Sequence, residues 1–188
     1  AGSIDMDAAL RKVGPNTRVI SHMLVNNEVG ALYRVGEFFR AARAKAPKAH
    51  LHADCIQGIG KVEISLETLH ADSLAISGHK IHAPKGVGVL ISHKDARMLP
   101  IVFGGGQEDG MRSGTENVAY IVGLAEAVKA AVQNRRAFET SARECQKVLR
   151  DGLQGLEGLR AMTSEQSVDS IVTLRVPGAP GEVWQHHL

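Results

Sequence analysis

The chain has 188 residues, 44% hydrophobic and 22% charged, which fits a soluble globular protein of one domain, or one domain with part of another. Its formal net charge is +2, with both signs interspersed, so nothing marks a surface for nucleic acid or an anionic membrane. No apolar run approaches the ~20 residues that span a bilayer.

The first predicted element is a short helix over residues 4–12, with Asp5 and Asp7 in its first turn and Gly14-Pro15 after its end. Residues 17–25 read as a buried strand that stops at the polar turn Asn26-Asn27-Glu28-Val29-Gly30. Helical spacing over 35–46 sets Val35, Phe38, Phe39 and Ala42 on one side, and Pro47 closes that helix. A second strand over 49–54 ends in another polar cluster, Asp54 to Gly58. A short helix near Leu66–His70 leads to a third strand, Ser73–Ser77, which runs into Gly78, His79 and Lys80. A fourth strand covers 87–91.

Strand, polar turn and helix alternate here, which argues an α/β fold with a mostly parallel sheet and right-handed crossovers. Aromatic residues make up only 4% of the chain, so the core is aliphatic, as suits such a sheet under helices. Ligands in these folds bind beyond the carboxyl ends of the strands. Three successive strands end in chemistry: Asn27, then Asp54 and Gln57, then Ser77, His79 and Lys80. Three polar turns on one edge suggest a single site.

Residues 103–117 are glycine-rich and polar, suited to wrapping a phosphate or a partner surface, or to a flexible loop. They contain neither GxGxxG nor GxxxxGK[ST], which removes the common nucleotide-binding loops. A long Ala/Val-rich helix follows over 117–134 and a more charged one over 135–159. The change in composition at Asn134-Arg135 predicts a domain boundary, with residues 1–134 in a larger domain and 135–188 opening a smaller α/β one. Residues 170–176 read as a strand, 177–181 as a turn and 182–188 as the start of a helix.

A lysine at the mouth of a sheet, beside groups that hold phosphate, can form a Schiff base with an aldehyde cofactor. Pyridoxal 5′-phosphate also needs a carboxylate facing its ring nitrogen, partners for its ring hydroxyl and a grip on its phosphate. The chain offers Lys80, Asp54, Gln57 with Asn27, and Ser77 with His79 for those four tasks. The spacing suits neighbouring strands but is not unique to such a site.

Four motifs sharpen the reading. Asn26 to Gly30, His52 to Lys61, Ser77 to Gly88 and Gly104 to Asn117 strongly resemble cysteine desulfurases. Those belong to the class V aminotransferase family of fold-type I pyridoxal-phosphate enzymes. The resemblance implies a three-layer α/β sandwich, a PLP-dependent transferase-like large domain. It implies cofactor binding by Lys80, Asp54, Gln57, Asn27, Ser77 and His79, with Lys80 and His79 as the catalytic residues. It places Thr115 at the phosphate of the other subunit of a homodimer. It implies conversion of L-cysteine to L-alanine, with sulfur carried as a persulfide to an acceptor or scaffold protein for iron–sulfur or thio-cofactor assembly. The family's persulfide cysteine, substrate-carboxylate arginine, ring-stacking histidine and one phosphate loop have no counterpart in the sequence. The chain is therefore expected to be a fragment lacking both flanks and inactive alone. Selenocysteine lyase, another class V lyase or aminotransferase, and a non-catalytic truncated module stand as alternatives.

Other residues read more plainly. His50 and His52 form an HxH pair on one strand face, without a third metal ligand at sensible spacing, so packing is the expected role and no metal is expected. Lys61 and Lys85 read as solvated surface residues, while Arg112 sits inside the glycine-rich loop. Cys55, between Asp54 and Gln57, and Cys145, on the charged helix, are not expected to act as nucleophiles. Neither belongs to a CxxC, which suggests a reduced, cytoplasmic setting. No signal segment is visible, and a start at Ala1 without methionine suggests a piece of a longer protein.

Overall fold

The computed structural model describes residues 2–162 and 166–187. Helix α1 (Met6–Lys12) is opened by Asp5, whose carboxylate accepts from the Ala8 amide at 2.8 Å. That satisfies one of the free donors of the first turn. Strand β1 (Val19–Met23) leads to helix α2 (Val35–Lys45), which buries Val35, Phe38, Phe39 and Ala42, the stripe expected from 3.6-residue spacing. Strand β2 (His50–Asp54) is followed by α3 (Leu66–Leu69), a single turn capped by Ser65 and closed by His70 at a left-handed φ of 51°. Strand β3 (Ser73–Ser77) enters a 3-10 turn, Gly78–Ile81, and β4 (Gly88–Ser92) returns beside it. Helices α4 (Val118–Gln133) and α5 (Arg135–Gly152) meet at Asn134. Strands β5 (Arg160–Ala161) and β6 (Leu174–Arg175) form a small antiparallel ribbon, and α6 (Gly181–Gln185) follows.

The main sheet has the order β1-β2-β3-β4, with the first three strands parallel and β4 antiparallel to β3. The α/β, mostly parallel architecture expected from the strand–turn–helix alternation is what forms. Alternation along the strands sorts the residues. Leu51 and Ala53 on β2, and Leu74 and Ile76 on β3, join Phe38, Phe39, Leu69 and Leu124 in one core cluster. On the other face, paired residues across the sheet run Ser21, His52, Ser73, Ser92 and then Met23, Asp54, Ala75, Leu90. Ser21, Leu90 and Ser92 on that face are exposed. Of the three layers the family resemblance implies, the described residues thus supply the sheet and one helical layer.

Three elements run shorter than the hydrophobic pattern predicts. Leu24 and Val25 leave the ladder after β1: the Leu24 amide bonds to Asp54 O at 2.8 Å, and Val25 bridges to Leu32. Helix α5 stops at Gly152, in a stretch where Gly155 and Gly158 take φ of 89° and 78°. Of the strand expected over 170–176, only Leu174–Arg175 pairs in a ladder. The chain just before it lies against the turn after β1, with Leu32 N bonding to Gln166 O at 3.0 Å and Val168 N to Gly30 O at 2.9 Å. Val168 and Ile171 pack there on the main core, so residues beyond the Asn134 junction are not detached from those before it. The helix expected over 182–188 is seen at Gly181–Gln185, and Leu188 lies outside the described residues.

One ion pair ties α2 to the starts of β2 and β3. Arg43 Nη2 donates to both carboxylate oxygens of Asp72 at 2.7 and 2.6 Å, and Asp72 Oδ2 also accepts from the Leu51 amide at 2.7 Å. Arg43 Nη1 donates to Ala49 O at 2.6 Å. Burial alone would push the Asp72 carboxyl up. The Arg43 hydrogen bonds, the Leu51 amide and the charges of Arg43 and His50 outweigh it and hold the group below its ordinary 3.8. A carboxyl depressed in the folded state stabilises the fold above its ordinary value, and that stability is lost as pH falls through the lower folded value. Asp72→Asn should therefore cost about 1 kcal/mol at pH 7, the pair being partly exposed and screened. In urea titrations the gap between variant and parent should close as pH is taken below 3.8; an unchanged gap would exclude this role.

Candidate active site

Because β1, β2 and β3 are parallel, their carboxyl ends lie on one edge, and the polar turns after them share it. After β1, Asn26 Oδ1 accepts from the amides of Glu28 and Val29, both at 2.9 Å, which closes the turn. Asn27 is exposed beside it and makes no hydrogen bond among the described residues. After β2, Asp54 Oδ1 accepts from the Ile56 amide at 2.9 Å. The Cys55 amide bonds across to Ala75 O at 2.9 Å, and Cys55 O accepts from Gly58 and Ile59 at 2.9 and 3.0 Å. This compact turn sends the Cys55 side chain into the core and leaves Asp54 and Gln57 half-buried.

After β3, the Gly78 amide bonds to Val87 O and the Ala83 amide to Gly78 O, each at 3.0 Å. A Cβ on Gly78 would meet Ala83 Cβ and Val87 O at 3.0 Å, so a side chain there would require the 3-10 turn under His79 and Lys80 to shift. Ser77 Oγ and His79 Nδ1 are 2.8 Å apart, and the Lys80 side chain is exposed at the same edge. Asp54, Gln57, Ser77, His79 and Lys80 are thus brought to the ends of two adjacent strands. Asn27 lies at the neighbouring strand end.

Thr115 is exposed on the glycine-rich loop and makes no hydrogen bond among the described residues. That loop is braced on itself. Gln107 Oε1 accepts from the Gly114 amide at 3.1 Å, Ser113 Oγ donates to Phe103 O at 2.9 Å, and Val102 bridges to Arg112. Arg112 donates to Ser113 O at 2.7 Å, a local contact within the loop.

Lys61 departs from the solvated role that its sequence context suggests. Its amine is half-buried and donates to both Gln57 O and Gln57 Oε1 at 2.9 Å. Burial, and after it the positive charge of Lys80, push the Lys61 amine below its ordinary value. The two lysines therefore share one electrostatic environment. The four-residue spacing from Gln57 to Lys61 was the available signal. His50 Nε2 and His52 Nδ1 both contact Ser73 Oγ, at 2.7 and 2.8 Å, so the HxH pair is held by a buried hydroxyl, a packing role. Burial pushes His52 below its ordinary value, His50 adds to that, and Asp54 opposes it. No group of three potential metal ligands occurs among the described residues.

This is the site of an α/β protein that gathers an amine, a carboxylate, a carboxamide, a hydroxyl and an imidazole beyond the ends of parallel strands. The aminotransferase class-V family model matches residues 1–188, and the chain belongs to that family. It is 38% identical over 176 residues to a cysteine desulfurase of Trichormus azollae, covering 94% of this chain and 42% of that protein. It is 37% identical over 185 residues to the cysteine desulfurase NifS of Azotobacter vinelandii, covering 98% of this chain and 44% of that protein. Among solved structures, a NifS-like protein superposes with a TM-score of 0.93 at 35% identity, over 97% of this chain and 50% of that one. DndA from Streptomyces lividans superposes at 0.84 with 34% identity, over 97% and 52%. The chain thus spans less than half the length of these two curated relatives. Members of this family use pyridoxal phosphate.

Cys55 adjoins the site without facing it. Burial, and after it the Asp54 carboxylate, push its thiol up to about 12. Cys145 is exposed on α5. Iodoacetamide at pH 8 should label Cys145 within minutes and leave Cys55 unlabelled until the chain is unfolded, as read by peptide mass spectrometry. Labelling of both at similar rates in the folded state would contradict the burial of Cys55.

Proposed function

We propose that this chain supplies the cofactor-binding floor of a pyridoxal-phosphate enzyme that removes sulfur from L-cysteine. The observation that carries the reading is the placement of Lys80 and Asp54 at the ends of adjacent parallel strands on one edge. The donor set matches the cofactor's chemistry group by group. Lys80 is an exposed amine suited to covalent attachment of an aldehyde. Asp54 has one carboxylate oxygen held by the Ile56 amide, which fixes the plane in which the other meets a protonated ring nitrogen. Gln57 and Asn27 serve the ring oxygen. Ser77 and His79, already in contact through Oγ and Nδ1, serve the phosphate.

Bound in this way, the cofactor acts as an electron sink for the substrate's α-carbon. The protein's part is to bind, orient and move protons. Asp54 keeps the ring nitrogen protonated. His79 and Lys80 are the residues placed to take and return protons, at Nε2 and Nζ. The balanced outcome is L-cysteine and an acceptor thiol giving L-alanine and a persulfide. The acceptor thiol is not Cys55, whose thiol is buried and pushed up.

A homodimer is proposed because Thr115 sits exposed on a braced loop, able to reach a second copy. Exposed apolar side chains nearby, Leu99, Ile101 and Phe103, suit coverage by such a copy. Delivery of the sulfur to an acceptor or scaffold protein for iron–sulfur assembly is supported by the likeness to NifS. A cytoplasmic setting is supported by two unpaired cysteines.

Addition of pyridoxal phosphate should give an absorbance band that borohydride fixes, with the adduct mapped to the peptide carrying Lys80. Lys80→Ala should abolish the fixed adduct, and Asp54→Ala should weaken binding at least about tenfold, as expected for loss of a charge-assisted bond. An undiminished adduct in Lys80→Ala would refute the assignment.

A further inference from the structure

We infer that Lys61 is a positioning residue that fixes the carboxamide of Gln57 as a hydrogen-bond donor toward the ring oxygen of the cofactor. This rests on the pyridoxal-phosphate reading above for the identity of the acceptor, but not for the geometry within the chain.

The argument starts from an asymmetry of donors. A lysine ammonium has three N–H donors and no acceptor. The Gln57 atom that lies 2.9 Å from Lys61 Nζ must therefore be the oxygen, whichever way an amide is drawn. A carboxamide left to itself exchanges its oxygen and nitrogen positions by rotation about its last side-chain bond, and the two ends are nearly identical in shape. Here that rotation is opposed twice. It would turn an N–H toward an ammonium, and it would forfeit the bond from Lys61. The same ammonium is anchored by a second bond, to Gln57 O at 2.9 Å, so it cannot follow a rotating side chain. Half-burial strengthens both bonds by lowering the local dielectric.

The Gln57 Nε2 group makes no hydrogen bond among the described residues. With Oε1 held on the Lys61 side, the opposite side of the amide presents Nε2, which can only donate. Gln57 is thereby set to recognise an acceptor oxygen, the aryl oxide of a pyridoxal ring, and to reject a donor in the same place. Lys61 itself does not need to touch that ligand. Lys61 lines a cavity of about 140 Å³ together with Val62 and with Phe138 and Arg143 of α5.

The test is a double-mutant cycle with two readouts. In the ligand-free chain, the side-chain amide resonances of Gln57 should be dispersed and slowly exchanging. Lys61→Met should move them toward free-amide values, and Lys61→Arg should retain much of the dispersion. Pyridoxal phosphate should bind Lys61→Met roughly three- to tenfold more weakly than the parent, the size of one hydrogen bond. In a Gln57→Ala background the same Lys61→Met change should alter affinity by less than about 1.5-fold. A 3-deoxy analogue, which lacks the ring oxygen, should bind parent and Lys61→Met alike. Urea midpoints of each variant report whether the fold is kept. An equal loss in the Gln57→Ala background would show that Lys61 acts on its own, and would overturn the inference. So would Gln57 resonances unchanged by Lys61→Met. If the parent failed to take up pyridoxal phosphate, the cofactor reading would fall, while the amide resonances would still decide the role of Lys61.

Discussion

The alternation of β2 is the constraint on which everything else depends. Leu51, Ala53 and the following Cys55 are fully buried on one face, while His50, His52 and Asp54 lie on the other. Strand β2 pairs on both sides, with β1 and with β3, so its register fixes theirs. A slip of one residue would carry Asp54 into an aliphatic core and bring Leu51 out of it. Burying an unpaired carboxylate and exposing a leucine both cost free energy, so the register that packs the core is also the one that presents the carboxylate. Site and core are thus specified by one pattern, read in two phases.

The sheet itself was legible because its signals are local. Alternating polar and apolar residues before a polar turn mark β2, the short run Leu74-Ala75-Ile76 marks β3, and the stripe Val35, Phe38, Phe39, Ala42 marks α2. The convergence of Asp54, Ser77 and Lys80 was legible for the same reason, since parallel strands bring their ends together whatever the intervening chain does. What stayed hidden depends on long-range placement. The return of residues 166–171 to the turn after β1 is set by backbone bonds between Gly30, Leu32, Gln166 and Val168, and no hydrophobic period reports it. Lys61 stayed hidden because a lysine's burial is decided by its neighbours in space, and the cavity it lines is shared with Phe138, on a helix more than seventy residues away. Asn26 and Asn27 are adjacent, and only the folded turn shows that Asn26 spends its carbonyl on closing it while Asn27 remains exposed.

The balance of charge at the strand edge follows from the same geometry. Two lysines, Lys61 and Lys80, lie close enough for the charge of one to depress the other, and Asp54 is the carboxylate at the adjoining strand end. An amine beside a second cation, in a partly desolvated pocket, is held less firmly to its proton than one in water. Lys61 is such an amine, and its neutral form is less costly to reach there than at an open surface. Its two bonds to Gln57 hold its amine against the turn after β2. A surface lysine in the same position along the chain, free to swing into solvent, would not fix the amide. The half-burial of Lys61 thus ties the orientation of the Gln57 amide to the same turn that holds Asp54.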